Sequence, residues 1–335
     1  MITSKVFDEQ YPDIKEYTLQ SDELIVKVIN LGATITSIQY RSDGRDVVLG
    51  YDHIDDYLRF DNYFGATIGR CANRIKNGTF SLHGEDYHLD INDACNSLHG
   101  GVEGFHARRF HANINKDTLE LSYFSKDMEE GYPGNLNFMV SFRVEKSHLH
   151  ISYHARSDQD TIVNFTNHSY FALQGQGEGT VDHQILMMHA DRYAVNDENR
   201  LVSGELREVK DTPFDFMEGK PIGQDIARKE DIQIAYANGY DHFFRFAKDQ
   251  PHIVRIQDTK TKHTLTIKTD MPGFHFYVPD YEPAQKGKYG ASYEGHCALC
   301  IETSFMPDAI HVQSNPETLL KADTPFTSET IYTFE

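Results

Sequence analysis

The sequence has no long hydrophobic run and no basic leader segment. Although 39% of its 335 residues are hydrophobic, no apolar stretch reaches the roughly 18 residues that a membrane-spanning helix needs. The first eight residues carry no basic segment followed by an apolar one, as a secretory signal peptide would. We therefore expect no membrane association and a cytoplasmic location.

Basic residues are scarce as well. The chain has 32 Lys and Arg against 51 Asp and Glu, a formal net charge of −19. Nucleic-acid affinity comes from neutralising phosphates with Lys and Arg, so the charge argues against nucleic acid as a partner. Anionic membranes and nucleotides are disfavoured for the same reason. Gly65 and Gly69 stand four residues apart, but no Gly-Lys-Ser/Thr follows them to make a phosphate loop. A small neutral molecule fits this charge balance better.

Cysteine is rare, and its spacing is uninformative. The chain has Cys71, Cys95, Cys297 and Cys300. The last two form a C-x-x-C, but the surrounding residues resemble a strand, in which residues three apart point to opposite faces. The first two supply no second pair at zinc spacing. We therefore expect four unpaired structural thiols and no metal or organic cofactor.

Short segments of alternating polarity, separated by turn signals, occur along the whole chain. They predict strands over 24–29, 33–40, 79–84, 87–91, 138–144, 148–155, 252–258 and 263–269. Short helices are predicted over 54–60 and 224–228. No internal repeat or linker divides the chain. The pattern predicts an all-β fold, with one large antiparallel β domain spanning residues 1–335.

Two histidines lie in polar segments, and a late strand carries an isolated acid. His99 precedes two glycines, where a backbone can approach a ligand closely. His168 is surrounded by hydrogen-bonding and aromatic residues. Glu302 lies in an apolar strand, where burial would raise its pKa towards the range of a general base. Two imidazoles and one carboxylate can move protons between oxygens near neutral pH, which favours acid–base chemistry on a polyol.

Each of these polar residues also has a structural interpretation. An isolated histidine is more often a packing or surface residue than a catalytic one. Arg70 and Arg74, among apolar neighbours, predict at least one buried guanidinium, which either joins a structural network or donates hydrogen bonds to substrate hydroxyls. Asp241, just before an aromatic strand, is either a turn residue or a carboxylate that binds sugar hydroxyls.

A third histidine cluster suggests an alternative chemistry. His148, His150 and His154 share one face of a predicted strand, which is similar to the metal signature of small β-barrels. The opposite face carries the apolar residues and is the expected core side. The histidine face is then solvated, and we expect no metal there, although a cupin-like metal enzyme remains the rival that metal analysis would separate.

Taken together, the motifs resemble those of the aldose 1-epimerases, the galactose mutarotase family. They occur in the family's order over nearly the whole chain: Gly69-Arg70-x-Ala72-Asn73-Arg74-Ile75, Asn96-Ser97-Leu98-His99-Gly100-Gly101, Asn164-x-Thr166-Asn167-His168-Ser169-Tyr170-Phe171, Asp241-His242-x-Phe244, Glu302-Thr303 and Pro307-Asp308-Ala309. The resemblance implies a large β-sandwich of the galactose mutarotase type, a supersandwich with an open cleft and no cofactor. We expect a monomer or a homodimer.

The resemblance also implies roles for individual residues. Glu302 matches the general base that takes the proton of the C1 hydroxyl, His168 the general acid that protonates the ring oxygen, and His99 a histidine near that oxygen. The matched substrate-hydroxyl binders are Arg74, Asn73 and Asp241, and His275 and Tyr277 share a strand face that the resemblance turns into the cleft. We expect a bell-shaped pH–rate profile, with Glu302 on the acid limb and the protonated histidine on the basic limb.

Several positions depart from the family pattern. His275 stands where the family commonly has a substrate-binding Gln, Ala172 replaces an Asn, and Ser304-Phe305-Met306 follows the Glu-Thr pair. These departures leave the preferred sugar open among glucose, galactose and a reducing disaccharide such as maltose. A non-catalytic sugar-binding protein on the same fold is the competing class, and the intact Glu302 and His168 pair favours an enzyme.

Overall fold

The computed structural model describes residues 2–335 and consists mainly of antiparallel strands. Its largest sheet has nine strands, in which every neighbouring pair is antiparallel. In spatial order the strands are His111–Asn115, Thr118–Ser125, Leu136–Glu145, His148–Ser157, Phe326–Phe334, Thr264–Thr269, Ile253–Gln257, Ile185–Met188 and Lys220–Pro221.

A second antiparallel sheet has six strands. In spatial order they are Tyr170–Phe171, Leu299–Ser304, Gly273–Tyr277, Asp241–Phe246, Ala190–Asn196 and Val202–Glu208. A third sheet, near the N-terminus, has four strands, Thr3–Val6, Lys15–Gln20, Leu24–Ile29 and Thr34–Tyr40.

Short strand pairs and single helical turns fill the connections between the large sheets. The two-stranded pairs are Thr67–Ile68 with Thr166–Asn167, Arg74–Ile75 with Ser97–Leu98, Thr79–Leu82 with Glu85–His88, Thr161–Ile162 with Leu319–Leu320, and Tyr281–Lys286 with Ser292–Gly295. The α-helices are Ile54–Arg59, Ile232–Ala237 and Ala309–Val312, and the 3₁₀ turns are Lys76–Gly78, Phe105–Ala107, Glu129–Gly131, Ile222–Gln224 and Lys288–Gly290. Over residues 2–335, none of the helices has the length and hydrophobicity needed to span a membrane.

The three large sheets pack around one apolar core. Side chains such as Val254 of the nine-stranded sheet, Phe274 of the six-stranded sheet and Val26 of the four-stranded sheet belong to the same buried cluster. In the strand Leu299–Ser304 every residue is buried. Leu299 and Ile301 enter this core, so the period of two turns Cys300 and Glu302 to the other face of the sheet.

The predicted all-β antiparallel sandwich is confirmed, with differences at some elements. The segment 224–228 is not a helix, because Ile222–Gln224 forms a 3₁₀ turn and ordinary turns follow it. The strand predicted over 87–91 is Glu85–His88, shifted towards the tight turn of its hairpin. The helix Ile232–Ala237 was missed, although Asp231 caps it by accepting hydrogen bonds from two backbone N–H groups.

All four cysteines are free thiols, as expected. The geometric reason given for the C-x-x-C pair was wrong, however. The strand begins only at Leu299, and Cys297 lies in a turn that its N–H closes onto the carbonyl of Gly295. The alternation of faces along a strand therefore does not apply to Cys297, and Cys297 and Cys300 pack into the same small cluster.

Candidate active site

A polar cavity of about 280 Å³ opens on the face of the six-stranded sheet that is turned away from the core. Five of its lining residues come from that sheet, and the others come from loops and a short strand pair that lie over it. The eight residues that the family resemblance assigns to the site all line this cavity: Asn73, Arg74, His99, His168, Asp241, His275, Tyr277 and Glu302.

Strand register brings the sheet residues together. His275 pairs with Glu302, and Asp241 pairs with Tyr277, across neighbouring antiparallel strands. Since directly opposed residues point to the same face of a sheet, these four side chains form one continuous polar surface. Alternation along the sequence predicts which face of its strand each side chain occupies. The strand pairing determines which of these side chains are neighbours.

The loop histidine is held by the backbone of a second loop. The short strands Arg74–Ile75 and Ser97–Leu98 pair, and His99 N–H donates to the carbonyl of Asn73 across 3.1 Å. In return, Asn73 N–H donates to His99 Nδ1 across 3.2 Å. His99 Nδ1 is therefore an acceptor, and its Nε2 carries the proton. Gly100 has φ +90°, and a Cβ there would collide with the carbonyl of Gly69, which explains the glycine.

His168 and Glu302 face each other inside the cavity wall. His168 Nε2 lies 3.6 Å from Glu302 Oε1, and the two side chains are 5% and 3% exposed. Burial raises the pKa of Glu302 well above its ordinary value, and the charge of Asp241 raises it further. Burial lowers the pKa of His168 to about 3. A proton shared by this pair therefore resides mainly on the carboxyl when the cavity is empty.

Aromatic rings fix the orientation of the His168 imidazole. Its ring is stacked on those of Tyr170 and Tyr63, with 5.0 and 5.9 Å between ring centroids. The His99 ring packs edge-on against it, with 5.0 Å between the centroids. Burial also lowers the pKa of His99 well below its ordinary value. Both imidazoles are therefore neutral at pH 7, and only a local transfer of a proton would charge them.

Three of the cavity residues are also candidate metal ligands. His99, His168 and Glu302 each offer one ligand atom, and these atoms lie within 4.8 Å of one another; no other group of three emerges from residues 2–335. The strand carrying His148 and His150 does not gather into such a site. His148 instead contacts Thr333, and His150 contacts Glu329 and Arg143.

A hydrogen-bonded chain joins three of the predicted substrate binders. Asn73 Nδ2 donates to His275 Nδ1 across 3.2 Å, so the proton of the ring lies on Nε2, which donates to Asp241 Oδ1. Burial alone would raise the pKa of Asp241. The bond from His275, with the charges of Arg74 and Arg200, nevertheless holds this pKa well below its usual range. Asp241 is therefore an ionised acceptor at the cavity wall.

The side chains of the two arginines in the Gly69 motif lie in different parts of the structure. Arg74 lines the cavity and pairs with Asp93 through a 2.7 Å bond. Arg70 points away from it and is 2% exposed. Its guanidinium donates to Ser125 Oγ and to the carbonyls of Ser125, Lys126, Tyr132 and Pro133. Arg70 is therefore structural, and of the two only Arg74 can reach a ligand.

Several lining residues were missed by the sequence reading. They are Asp61, Tyr63, Asn92, Asp93 and Arg200. Arg200 Nη1 reaches to within 3.7 Å of Asp241 Oδ2 from a separate loop, and nothing local in the sequence connects the two. Asn92 and Asp93 could have been identified from the sequence, because they stand just before the Asn96 motif. The lining is acidic overall, which suits a neutral ligand better than an anion.

A buried carboxyl–imidazole pair in a polar cavity of an antiparallel β-sandwich is an arrangement suited to acid–base chemistry. The family model for aldose 1-epimerase matches residues 15–333. The chain is 38% identical over 328 residues to a galactose mutarotase of Bos taurus, covering 96% of this chain and 94% of the relative. It is 31% identical to an aldose 1-epimerase of Escherichia coli K12 over 337 residues, covering 96% of each.

Solved structures share the fold. A galactose 1-epimerase from Lactobacillus acidophilus NCFM superposes with a TM-score of 0.87 at 28% identity, covering 100% of this chain and 98% of the other. A GalM/aldose epimerase homologue from C. elegans superposes with a TM-score of 0.86 at 28% identity, covering 96% and 99%. This chain belongs to the aldose 1-epimerase family.

Proposed function

We propose that this protein is an aldose 1-epimerase, an isomerase that interconverts the α and β anomers of a neutral hexose such as glucose or galactose. The observation that carries the proposal is the buried pair of Glu302 and His168, 3.6 Å apart in a polar cavity. A carboxyl and an imidazole whose pKa values are displaced by burial are the groups that general acid–base catalysis requires.

The mechanism needs two proton transfers and no cofactor. Once the proton shared by the pair has moved from Glu302 to His168, the Glu302 carboxylate takes the proton of the C1 hydroxyl while His168 Nε2 delivers its proton to the ring oxygen. The bond between C1 and the ring oxygen breaks, and C1 becomes an aldehyde. After rotation about the C1–C2 bond, the ring oxygen attacks the other face of C1, Glu302 returns its proton to the new hydroxyl, and His168 recovers its own. Protons and electrons balance over the cycle.

The remaining polar side chains would hold the sugar in place. Asn73, Arg74, Asp241, His275 and Tyr277 surround the pair and offer both donors and acceptors to hydroxyl groups. His99 Nε2 carries a proton and faces the same space, which suits a hydrogen bond to the ring oxygen. Because these groups are buried and fixed by one another, a sugar with a misplaced hydroxyl would leave them unpaired and react more slowly.

Two broader expectations follow from this proposal. We infer that residues 1–335 act as one unit, which the match of the family model over residues 15–333 supports. We also infer a cytoplasmic location, which four free thiols support because reducing compartments keep cysteines unpaired.

Polarimetry of freshly dissolved sugar tests the proposed function. α-Glucose and α-galactose should reach anomeric equilibrium faster with protein than without it, and an E302Q variant should match the spontaneous rate. A protein that binds sugar, as seen by saturation-transfer NMR, without accelerating mutarotation of either sugar would be a sugar-binding protein on this fold, and the proposal would be wrong.

A further inference from the structure

A cysteine contacts the proposed acid on its far side. Cys300 Sγ lies 3.6 Å from His168 Nδ1, within hydrogen-bond reach of sulfur. The cysteine is fully buried, and His168 is 4% exposed. The proposed function leaves this thiol without a role.

The strand geometry places the imidazole between two side chains of one strand. The strand Tyr170–Phe171 pairs with Leu299–Ser304 so that Tyr170 lies opposite Cys300. His168 precedes that pair by two residues. Cys300 and Glu302 point to the same face two residues apart, and they contact opposite nitrogens of the ring, Nδ1 and Nε2. One strand therefore supplies the side chains that contact both nitrogens of the imidazole.

We propose that Cys300 is a positioning residue for His168. The Cys300 thiol bonds Nδ1 of the His168 ring and so directs Nε2 of that ring at Glu302 and the sugar ring oxygen. This inference rests on the proposed function, because it assigns a purpose to the orientation of the acid. When Glu302 holds the shared proton it can donate to Nε2, and the proton of the neutral ring then lies on Nδ1, facing the sulfur. When the shared proton is on the ring, both nitrogens carry a proton, so Nδ1–H again donates to the sulfur, a weak acceptor.

A thiol differs from the carboxylate that often stands behind a catalytic histidine. Burial raises the pKa of Cys300 well above its ordinary value, so the thiol stays neutral. A neutral sulfur, which is a weak acceptor, orients the ring with little stabilisation of the imidazolium, whereas a carboxylate would stabilise it strongly. Protonated His168 then remains a strong acid, which suits proton delivery to a weakly basic ring oxygen.

The other titratable groups around His168 are compatible with this positioning role. The titratable side chains that face it are Glu302, His99, Cys300, Tyr63 and Tyr170, with His275 and Asp241 acting from farther away. Among them, Cys300 is the partner that contacts Nδ1 in the described structure.

Cys297 provides a matched control. It is also a buried thiol, it packs into the same cluster, and it lies outside the cavity lining. C297A and C300A therefore remove the same atom from similar surroundings, and they differ in whether His168 loses its Nδ1 partner. C300S supplies a hydroxyl that can bond Nδ1 at nearly the same place and serves as the conservative variant.

The test combines a readout that needs no turnover with kinetics. Nitrogen-15 NMR of the His168 ring, assigned with H168N, should show one dominant tautomer in the wild type and in C297A. C300A should show a mixture, and C300S should restore the wild-type signal. We expect kcat of C300A to fall about tenfold, the order of one hydrogen bond, with KM nearly unchanged.

Two results would overturn the inference. One is a C300A protein with wild-type His168 ring signals, and the other is a loss of kcat no greater in C300A than in C297A. If the wild type showed no mutarotase activity but C300A still altered the ring signals, the contact would stand while its catalytic purpose failed together with the proposed function.

Discussion

His275 donates a hydrogen bond from Nε2 to Oδ1 of Asp241 and accepts one at Nδ1 from Asn73. The histidine thus stands between two side chains proposed to bind sugar hydroxyls. It fixes the direction of the Asp241 carboxylate and of the Asn73 amide. We therefore expect a residue in this position to affect which hydroxyl pattern the cavity accepts more than whether protons move.

The first prediction concerns the preferred sugar. In H275Q the amide can accept from Asn73 and donate to Asp241, but it also presents a second N–H to the cavity. We expect the ratio of kcat/KM between galactose, glucose and maltose to shift, at little cost to the best substrate. H275A, which breaks both bonds, should weaken all three sugars. Ratios identical to wild type in H275Q would show that this position does not set specificity.

The second prediction concerns the acid–base pair. E302Q keeps the shape of the side chain but removes the basic lone pair, and H168N removes the proton donor. Each should lower kcat by roughly 10²–10⁴-fold, the usual worth of one positioned proton transfer. Sugar binding and the melting temperature should be retained. E329Q, at a partly exposed acid of the nine-stranded sheet, is the control. More than about a tenth of wild-type activity in either variant would contradict the assignment.

The third prediction replaces the pH profile expected from sequence. Burial lowers the pKa of His168 to about 3 and raises that of Glu302. The pair is active with one proton in total. That proton is lost as pH rises through the raised pKa of Glu302, and a second is gained only near pH 3. The alkaline limb of kcat/KM therefore belongs to Glu302.

Initial rates across pH, corrected for buffer catalysis, check this assignment, because kcat/KM reports the free enzyme. We expect no acid limb in the range where an ordinary histidine titrates. A decline in kcat/KM as the pH is raised through about 6.5, the ordinary pKa of histidine, with a separate acid limb at lower pH, would restore the original assignment of the two limbs.

The fourth prediction concerns metal. The proposed mechanism takes its base and acid from side chains, although His99, His168 and Glu302 could also gather around an ion. Prolonged treatment with a chelator, followed by metal analysis of the protein, should leave the rate of mutarotation unchanged. A loss of activity that zinc or manganese restores would instead make this an enzyme that uses the three residues as ligands.

The fifth prediction concerns Arg70. Its guanidinium satisfies four backbone carbonyls of the segment 125–133 in a dry environment. R70M should leave those groups unpaired and destabilise the fold by about 3 kcal/mol or more, measured by denaturant unfolding. The folded fraction should retain its KM for sugar. A raised KM with unchanged stability would mean that Arg70 reaches the substrate after all.

The sequence by itself determined the fold class and indicated part of the cavity lining. Alternating polarity in segments such as 24–29 and 138–144 specifies half-buried strands, because residues two apart share a face. The same period placed Glu302 on the face opposite Ile301. The motifs then identified eight residues that all line one cavity.

Only the tertiary structure decided how those residues act on one another. Arg70 and Arg74 look alike in the sequence, yet one holds a loop and the other lines the cavity. The contacts of His275 with Asp241, of Arg200 with Asp241 and of Cys300 with His168 join residues 34, 41 and 132 positions apart. The position of the shared proton depends on burial and on neighbouring charges. Both are properties of packing between distant segments, which local sequence patterns do not contain.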